Sequence, residues 1–418
     1  MKEHYIFIEF DAGIRFDFSC IANESQYSLY LIVSRKNYAT LSQASIYAFR
    51  EIIIIDEVDF NFDNLLNLVR GMMEKFNIIA DLLGIITHDE YSIGVSAKLR
   101  ETLGTEGDPY SRVVPFTDKL LMKEAVLALR QPKHLKFDPE KYQLKQVDYV
   151  EEIISKLGFP LFIKPLSRAS CFETAEIHNE EELLQWLSTN CNKNYFEIDE
   201  FVTGTLYHCD SIVQNGDIKH VFISQYNVPC AEFMKGKAMG SFPLKTNHPL
   251  FNELAAYNQQ VLETINVPDN TVTHFEFFRN NEGEFIFLEI ANRAPGGELP
   301  FSYRIMSEKN VEEILVRLQM QIPIDLHFDS PKVFAAFMRF PKIKGIVKKL
   351  INPKLKSAYS LRHYVNVGNQ LVQAENLSDM VASMVIWNCN YEALMEDFKS
   401  LSNKRIVETE QEPVGITA

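Results

Sequence analysis

Glu276 and Glu289 carry the sharpest chemical signal in the chain. They lie in two apolar segments, residues 272–279 and 284–291, that flank the turn signal Asn280-Asn281-Glu282-Gly283. This pattern predicts a β-hairpin. With a turn of about four residues, Arg279 pairs with Glu284, and His274, Glu276, Phe287 and Glu289 share one face. Glu289 then stands opposite His274 and diagonal to Glu276, with backbones about 7–8 Å apart. Two carboxylates converging from there can hold a hard divalent cation. The bland alternative, two solvent-facing glutamates on an edge hairpin, has equal weight when the hairpin is taken alone. The apolar run 285–290 weighs against it, because an unpaired carboxylate among such neighbours is costly.

Directly after Glu289 come Asn292, Arg293, Gly296 and Gly297. An arginine is out of place at a bare cation site. It makes sense where phosphate also binds, because a guanidinium fork matches phosphate. Gly296 and Gly297 would let backbone N–H groups approach an oxyanion. No Ser-His-Asp or Cys-His arrangement is visible in the sequence, so covalent enzyme catalysis is not expected.

The elements that must position these residues follow from length and periodicity. A chain of 418 residues exceeds what one hydrophobic core usually serves and predicts two or three domains. Apolar content of 46% and charged content of 23% are globular averages. A net charge of −14 argues against non-specific binding to nucleic acid or an anionic membrane. A local cluster of donors can still hold an anionic ligand. The 6 cysteines show no CxxC pair and no zinc spacing, which predicts reduced structural thiols. The N-terminal residues do not read as a signal peptide, and no apolar run reaches about 18 residues. A cytoplasmic enzyme fits these features.

Residues 1–115 alternate apolar runs with helical patterns, which predicts an α/β domain whose parallel sheet is covered on both sides. Strands are expected at 5–8, 29–33, 52–55 and 85–87, with a helix over 62–76. No glycine-rich phosphate fingerprint follows these strands. Residues 116–203 read as a small α+β lobe with a strand at 161–165 and a helix from 179 whose capping box is Asn179 and Glu182. Residues 204–330 carry longer antiparallel strands, including a hairpin around Asn215-Gly216. Residues 331–418 look like a smaller αβ appendage.

At these residues the chain resembles the ATP-grasp superfamily, and within it the carboxylate–amine ligases that include L-amino acid ligases. The resemblance rests on His274-Phe275-Glu276-Phe277-Phe278 and on Phe287-Leu288-Glu289-Ile290-Ala291-Asn292-Arg293-Ala294-Pro295-Gly296-Gly297. It implies an N-terminal parallel α/β domain, a small α+β lid lobe and a larger antiparallel lobe. It also implies metal ligation by Glu276 and Glu289 and phosphate contact by Arg293. Residues 116–123 resemble the family segment whose lysine reaches ATP phosphates, a role that falls on Lys119. Residues 158–165 resemble the strand of the second ATP lysine, Lys164. A bound anion explains a lysine inside that apolar run better than a solvated charge does. Residues 196–204 resemble the adenine hinge: the backbone of Phe201 and Val202 would read the base, and Asp199 or Glu200 would accept from its amine. His208 and Asp210 would face nucleotide or substrate, unless they are plain strand residues.

Two places depart from the family pattern. The loop after the lysine strand, usually glycine-rich, reads Ser167-Arg168-Ala169-Ser170-Cys171, so hydroxyls and Arg168 would replace a backbone phosphate cradle. Ala291 occupies a position that often holds a third, asparagine, metal ligand. The resemblance implies a ligase using ATP and Mg²⁺ (or Mn²⁺) to join a small carboxylate to an amine through an acyl phosphate. Arg293, the N–H groups at Gly296 and Gly297, and His274 would steady the oxyanion, although His274 reads equally well as a packed strand histidine. Residues 235–241 could form a lid over the acyl substrate, and a homodimer is expected. The alternatives are an inactive ATP-binding protein, or an ATP-grasp carboxylase or nucleotide-pathway ligase.

Overall fold

The computed structural model describes residues 2–10, 16–22, 27–167 and 170–410. Arg168, expected near phosphate, lies outside the described residues. Strands β1 (His4–Glu9), β2 (Ser28–Ser34), β3 (Glu51–Ile55) and β4 (Leu83–Ile86) form a parallel sheet in the order β3-β2-β1-β4. Its central strands are continuously apolar because both faces are covered. Ile6, Ile8, Tyr30 and Ile32 pack on one side with Leu65 and Val69 of the helix Phe62–Phe76, while Phe7, Leu31 and Val33 pack on the other. That helix starts on the Asn61 side chain and stops at left-handed Asn77. The carboxyl ends of the strands lead into Lys36 and His88–Glu90, which face the rest of the molecule.

The small lobe is a sheet of β5 (His134–Lys136), β6 (Leu161–Pro165), β7 (Ala175–Ile177) and β8 (Phe196–Glu200), ordered β5-β8-β6-β7. Helices Gln146–Leu157 and Glu180–Asn190 bury Tyr149, Ile153, Leu183 and Leu187 in the same core as Leu161, Ile163 and Ile198. The second helix has its capping box: Asn179 accepts from the Glu182 N–H at 3.0 Å, and the Glu182 carboxylate accepts from the His178 N–H at 2.8 Å.

The remaining strands are β9 (Thr205–Gln214), β10 (Asp217–Tyr226), β11 (Met239–Pro243), β12 (Thr271–Arg279), β13 (Phe285–Ala291), β14 (Phe334–Pro341), β15 (Gly345–Leu350), β16 (Ala358–His363), β17 (Gln370–Leu371), β18 (Met380–Asn388) and β19 (Val407–Glu410). Eight of them build one antiparallel sheet, β13-β12-β9-β10-β11-β14-β18-β16. Asn215 and Gly216 both take positive φ, as a two-residue hairpin turn between twisted strands requires. The stretch 331–418 supplies β14, β16 and β18 to this sheet beside β11, a pairing that no local periodicity announces. Residues 235–241 form no free lid: Met239 opens the internal strand β11, and Lys235 is tied to Glu232 at 2.8 Å and to Glu176 of the small lobe at 2.6 Å. No helix among the described residues is long and apolar enough to cross a membrane.

Candidate active site

The β12–β13 hairpin separates two faces by chemistry. Phe275, Phe277 and Phe287 are fully buried on the inner face and stack at centroid distances of 4.8 and 5.6 Å, packed against Tyr257 of the helix Phe251–Thr264. Burying each such ring contributes roughly 1.5–3 kcal/mol, which fixes the register. The other face carries the carboxylates, but not in the expected pairing. Arg279 pairs with Phe285 and Phe277 with Phe287; the register then shifts, and Glu276 stands directly opposite Glu289. Leu288 is the extra residue of this β-bulge. Without it, Glu289 would follow Phe287 into the core face by strict alternation. His274 pairs with Ala291 instead of Glu289.

Lys119 is buried, with Nζ 3.7 Å from Glu289. Lys164, on β6, lies 3.1 Å from Asp199 and 3.3 Å from Glu197. Lys123, one helical turn after Lys119, reaches the same two acids at 2.6 and 3.0 Å. This buried square of two lysines and two carboxylates satisfies its own charge. Burial works against the charge on Lys164, yet Asp199, Glu197 and Glu289 hold its pKa above the ordinary lysine value. Burial likewise opposes ionisation of Glu197, and the two lysines hold its pKa below the usual carboxylate value.

A second buried network ends on Glu276. Asp210 accepts from His208 at 2.7 Å, from His274 at 2.6 Å and from the Tyr303 hydroxyl. His208 also meets the Ser241 hydroxyl at 2.6 Å. His274 lies 3.3 Å from Glu276, which accepts from Tyr226 at 2.7 Å. Burial lowers the His274 pKa, but Asp210 and Glu276 outweigh it and push it up to about 10. A Ser-His-Asp chain therefore does exist, contrary to the sequence reading, and the placement of β11 across β10 from β9 assembles it. Ser241 is 2% exposed, so it is a hydrogen-bond anchor and no nucleophile. His208 and Asp210 are buried away from both cavities described below and do not face a ligand as expected.

Two cavities meet at the carboxylate pair. One, of about 370 Å³, lies between the lobes and is walled by Lys119, Lys164, the hinge 199–204, Phe162, Phe278 and Leu288. The other, of about 470 Å³, opens toward the N-terminal sheet and is lined by His274, Arg293, Gly296, Gly297, Arg339 and Met239. Glu276, Glu289, Ser170 and Cys171 belong to both walls.

Residues 121–307 match the family described as D-ala D-ala ligase C-terminus. A "L-arginine-specific L-amino acid ligase" of Bacillus subtilis is 27% identical over 64% of this chain, and the match spans 62% of that protein's length. A D-alanine--D-alanine ligase of Lactococcus lactis is 25% identical over 43% of this chain and 52% of its own. The crystal structure of an L-amino acid ligase from Bacillus licheniformis superposes with a TM-score of 0.73 at 13% identity, covering 99% of this chain and 100% of that one. An N5-carboxyaminoimidazole ribonucleotide synthetase from Thermotoga maritima gives 0.62 at 16% identity, covering 99% and 100%. Residues 121–307 thus resemble that ligase family, and the chain shares the fold of these solved structures.

The hinge 199–204 differs in detail from the sequence expectation. The Phe201 N–H already donates to the Pro160 carbonyl at 3.1 Å, so the free backbone donor there, among the described residues, is that of Val202. Both oxygens of Asp199 are held by lysines, whereas the half-buried Glu200 carboxylate meets, among the described residues, only Arg130, at 3.1 Å. In the loop after the lysine strand, Ser167 lies outside both cavity walls, and Ser170, Cys171 and Glu173 adopt left-handed φ of 61°, 56° and 53°. The missing glycines are thus replaced by strained residues, as functional loops often show. Arg293 donates through Nε to Glu90 at 2.8 Å and through Nη1 to the Ala294 carbonyl at 2.9 Å, with Nη2 2.6 Å from Glu90. A Cβ on Gly296 would meet open space; one on Gly297, at φ 65°, would fall 1.8 Å from the Arg339 guanidinium. Lys123, Glu197, Tyr226, Glu90 and Arg339 escaped the sequence reading. Lys123 alone had a local signal, its helical spacing from Lys119.

Proposed function

We propose that this chain is an ATP- and Mg²⁺-dependent carboxylate–amine ligase that forms an amide through an acyl phosphate, acting on an amino acid or similar small carboxylate. One observation carries the reading: the opposed pair Glu276–Glu289 forms part of both cavity walls, where a phosphoryl group must pass from nucleotide to acid. The names of the matched relatives support it.

The donor set suits a divalent cation. Glu289 is only half-buried and faces the cavities, and Glu276 keeps one oxygen beyond its bonds to Tyr226 and His274. Mg²⁺ needs few protein oxygens and takes the rest from phosphate and water. The metal, when held by these two residues, supplies charge neutralisation at the phosphates, and Mn²⁺ would serve similarly. Lys119 and Lys164 hold the nucleotide phosphates from the lobe side. Phe162, Phe278 and Leu288 sandwich the base, Val202 donates to its edge and Glu200 accepts from its amine. An oxygen of the substrate carboxylate attacks the γ-phosphorus, the bond to the bridging oxygen breaks, and ADP leaves. The amine nitrogen adds to the acyl carbon and loses a proton, and phosphate departs with its C–O bond broken. Positioning and charge stabilisation supply most of the rate. His274, Arg293 and backbone N–H groups near Gly296 and Gly297 are placed to steady the oxyanion. Six free thiols are consistent with a cytoplasmic setting.

The test is ADP release from ATP and Mg²⁺ with pooled amino acids, for wild type beside Glu289→Gln and with EDTA. Turnover in wild type alone, lost on chelation, supports the ligase. Equal turnover in both proteins removes the metal assignment. The strained, glycine-free loop favours a second reading, a nucleotide-binding protein without turnover, which predicts ATP-induced thermal stabilisation and no ADP with any mixture.

A further inference from the structure

The second cavity holds two arginines in different states of use. Arg293 has its Nε, Nη1 and Nη2 all engaged by Glu90 and the Ala294 carbonyl. Arg339, on β14, donates only Nε, to Glu298 at 2.7 Å. Its two Nη nitrogens have no hydrogen-bond acceptor among the described residues, and the guanidinium is part of the cavity wall. Glu298 therefore orients the side chain from one edge and leaves the end-on fork open. Gly297 contributes by absence, since a side chain there would occupy the space of Nη2. An oriented, half-used guanidinium fork matches a carboxylate.

Ligation distinguishes which substrate this carboxylate can belong to. The acid spends its carboxylate at phosphorus, beside Glu276 and Glu289. A carboxylate that persists through the reaction, and needs its own receptor, belongs to the amine substrate. Around Arg339 the wall is apolar: Met239 is its cross-strand partner, Phe337 lies two residues away with its ring centroid 5.9 Å from the guanidinium carbon, and Leu299, Leu377 and Met380 complete the surface. Asp379, the acid within that last segment, is held outside the cavity by Lys342 at 3.0 Å and Asn376 at 2.9 Å.

Resting on the ligase reading above, we propose that the amine substrate is an α-amino acid with an apolar side chain, its carboxylate seated on the Nη fork of Arg339 and its side chain on Met239, Phe337 and Met380. Arg339 is then a specificity-determining residue for the amine and plays no part in activating the acid.

The experiment uses the full chain, with the standard amino acids supplied singly as acyl donors. Each donor is first offered hydroxylamine, an amine without a carboxylate, and hydroxamate is measured. Leucine, leucinamide and lysine are then compared as amines, in wild type, Arg339→Gln and Arg339→Lys. The expected result is wild-type preference for leucine over lysine. Arg339→Gln raises the KM for leucine about 10–100-fold, the range for a lost charge-assisted contact. Its KM for leucinamide and its hydroxamate yield stay within about threefold of wild type, a margin under ~1 kcal/mol, and Arg339→Lys recovers part of the leucine effect. Equal losses for leucine and leucinamide, or no loss for either, overturn the proposal, as does a wild-type preference for lysine. Should Arg339→Gln fail to fold, Glu298→Ala, which removes the partner that orients the guanidinium, is held to the same outcomes. Absence of both hydroxamate and ADP in wild type with every donor overturns the ligase reading itself, a different result from a ligase indifferent to Arg339.

Discussion

Glu289 faces Glu276 only because Leu288 is bulged out of the strand between them. The two carboxylates nevertheless differ. Glu276 is 7% exposed and bonded to Tyr226 and His274, while Glu289 is half-buried with Lys119 at 3.7 Å. Glu276→Gln should cost about 1–3 kcal/mol of stability, because it unpairs buried donors. Glu289→Gln should cost under ~0.5 kcal/mol. Both should lower Mg²⁺-dependent ADP release by about 100-fold or more, as loss of a group aimed at transition-state charge does. Urea titration beside an ADP assay separates the two effects; equal stability losses would contradict the asymmetry.

Lys123 binds no cavity directly but closes the buried square with Lys164, Glu197 and Asp199. Lys123→Met leaves two buried carboxylates to one lysine and should destabilise by about 3–5 kcal/mol. The same square should weaken in acid. The folded Glu197 pKa lies below its ordinary value, so its contribution is present above about pH 4.5 and disappears as pH falls through the folded value. A urea midpoint for Lys123→Met within ~1 kcal/mol of wild type would show the square to be dispensable.

Asp89, at the carboxyl end of the N-terminal sheet, gives the opposite sign. Burial, then repulsion from Glu9, raises its pKa from 3.8 to about 7. The folded state therefore binds more protons than the unfolded one between those values. Stability from this group is full below the unfolded pKa and is lost as pH rises toward 7, by at most ~1.4 kcal/mol per unit. Asp89 also caps the helix Glu90–Leu103 by accepting from the Ser92 N–H at 2.9 Å. Asp89→Asn keeps that cap and removes the charge. Its stability curve should be flatter than wild type from pH 4 to 7; parallel curves would sink this assignment.

Ser170 holds φ 61° on an exposed loop. Ser170→Gly should stabilise the fold by about 1 kcal/mol, because glycine takes that conformation freely. An unchanged or lower melting temperature would mean that its hydroxyl contributes more than the backbone strain costs.

Gly296 and Gly297 should part company under the same substitution. Gly296→Ala enters open space and should change melting by little. Gly297→Ala, at positive φ and against Arg339, should cost about 1–2 kcal/mol. Equal effects at the two positions would refute the packing described.

The sequence by itself determined what depends on neighbours along the chain. The alternating strands and helices of the first domain, the helix Phe62–Phe76, the Asn179 cap, the Asn215-Gly216 turn and the general approach of Glu276 to Glu289 all follow from local periodicity and turn chemistry. Tertiary structure alone decided the bulge at Leu288, the seating of Lys123 on Glu197 and Asp199, the Ser241–His208–Asp210 chain and the entry of β14 beside β11. Apart from the bulge, each of these joins strands or helices distant in sequence. Side-chain alternation says which face a residue takes within its own strand, but not which strand lies next to it or where one extra residue shifts the ladder. Those choices are made by burial across the assembled sheet, where the phenylalanine core and the paired charges are satisfied together.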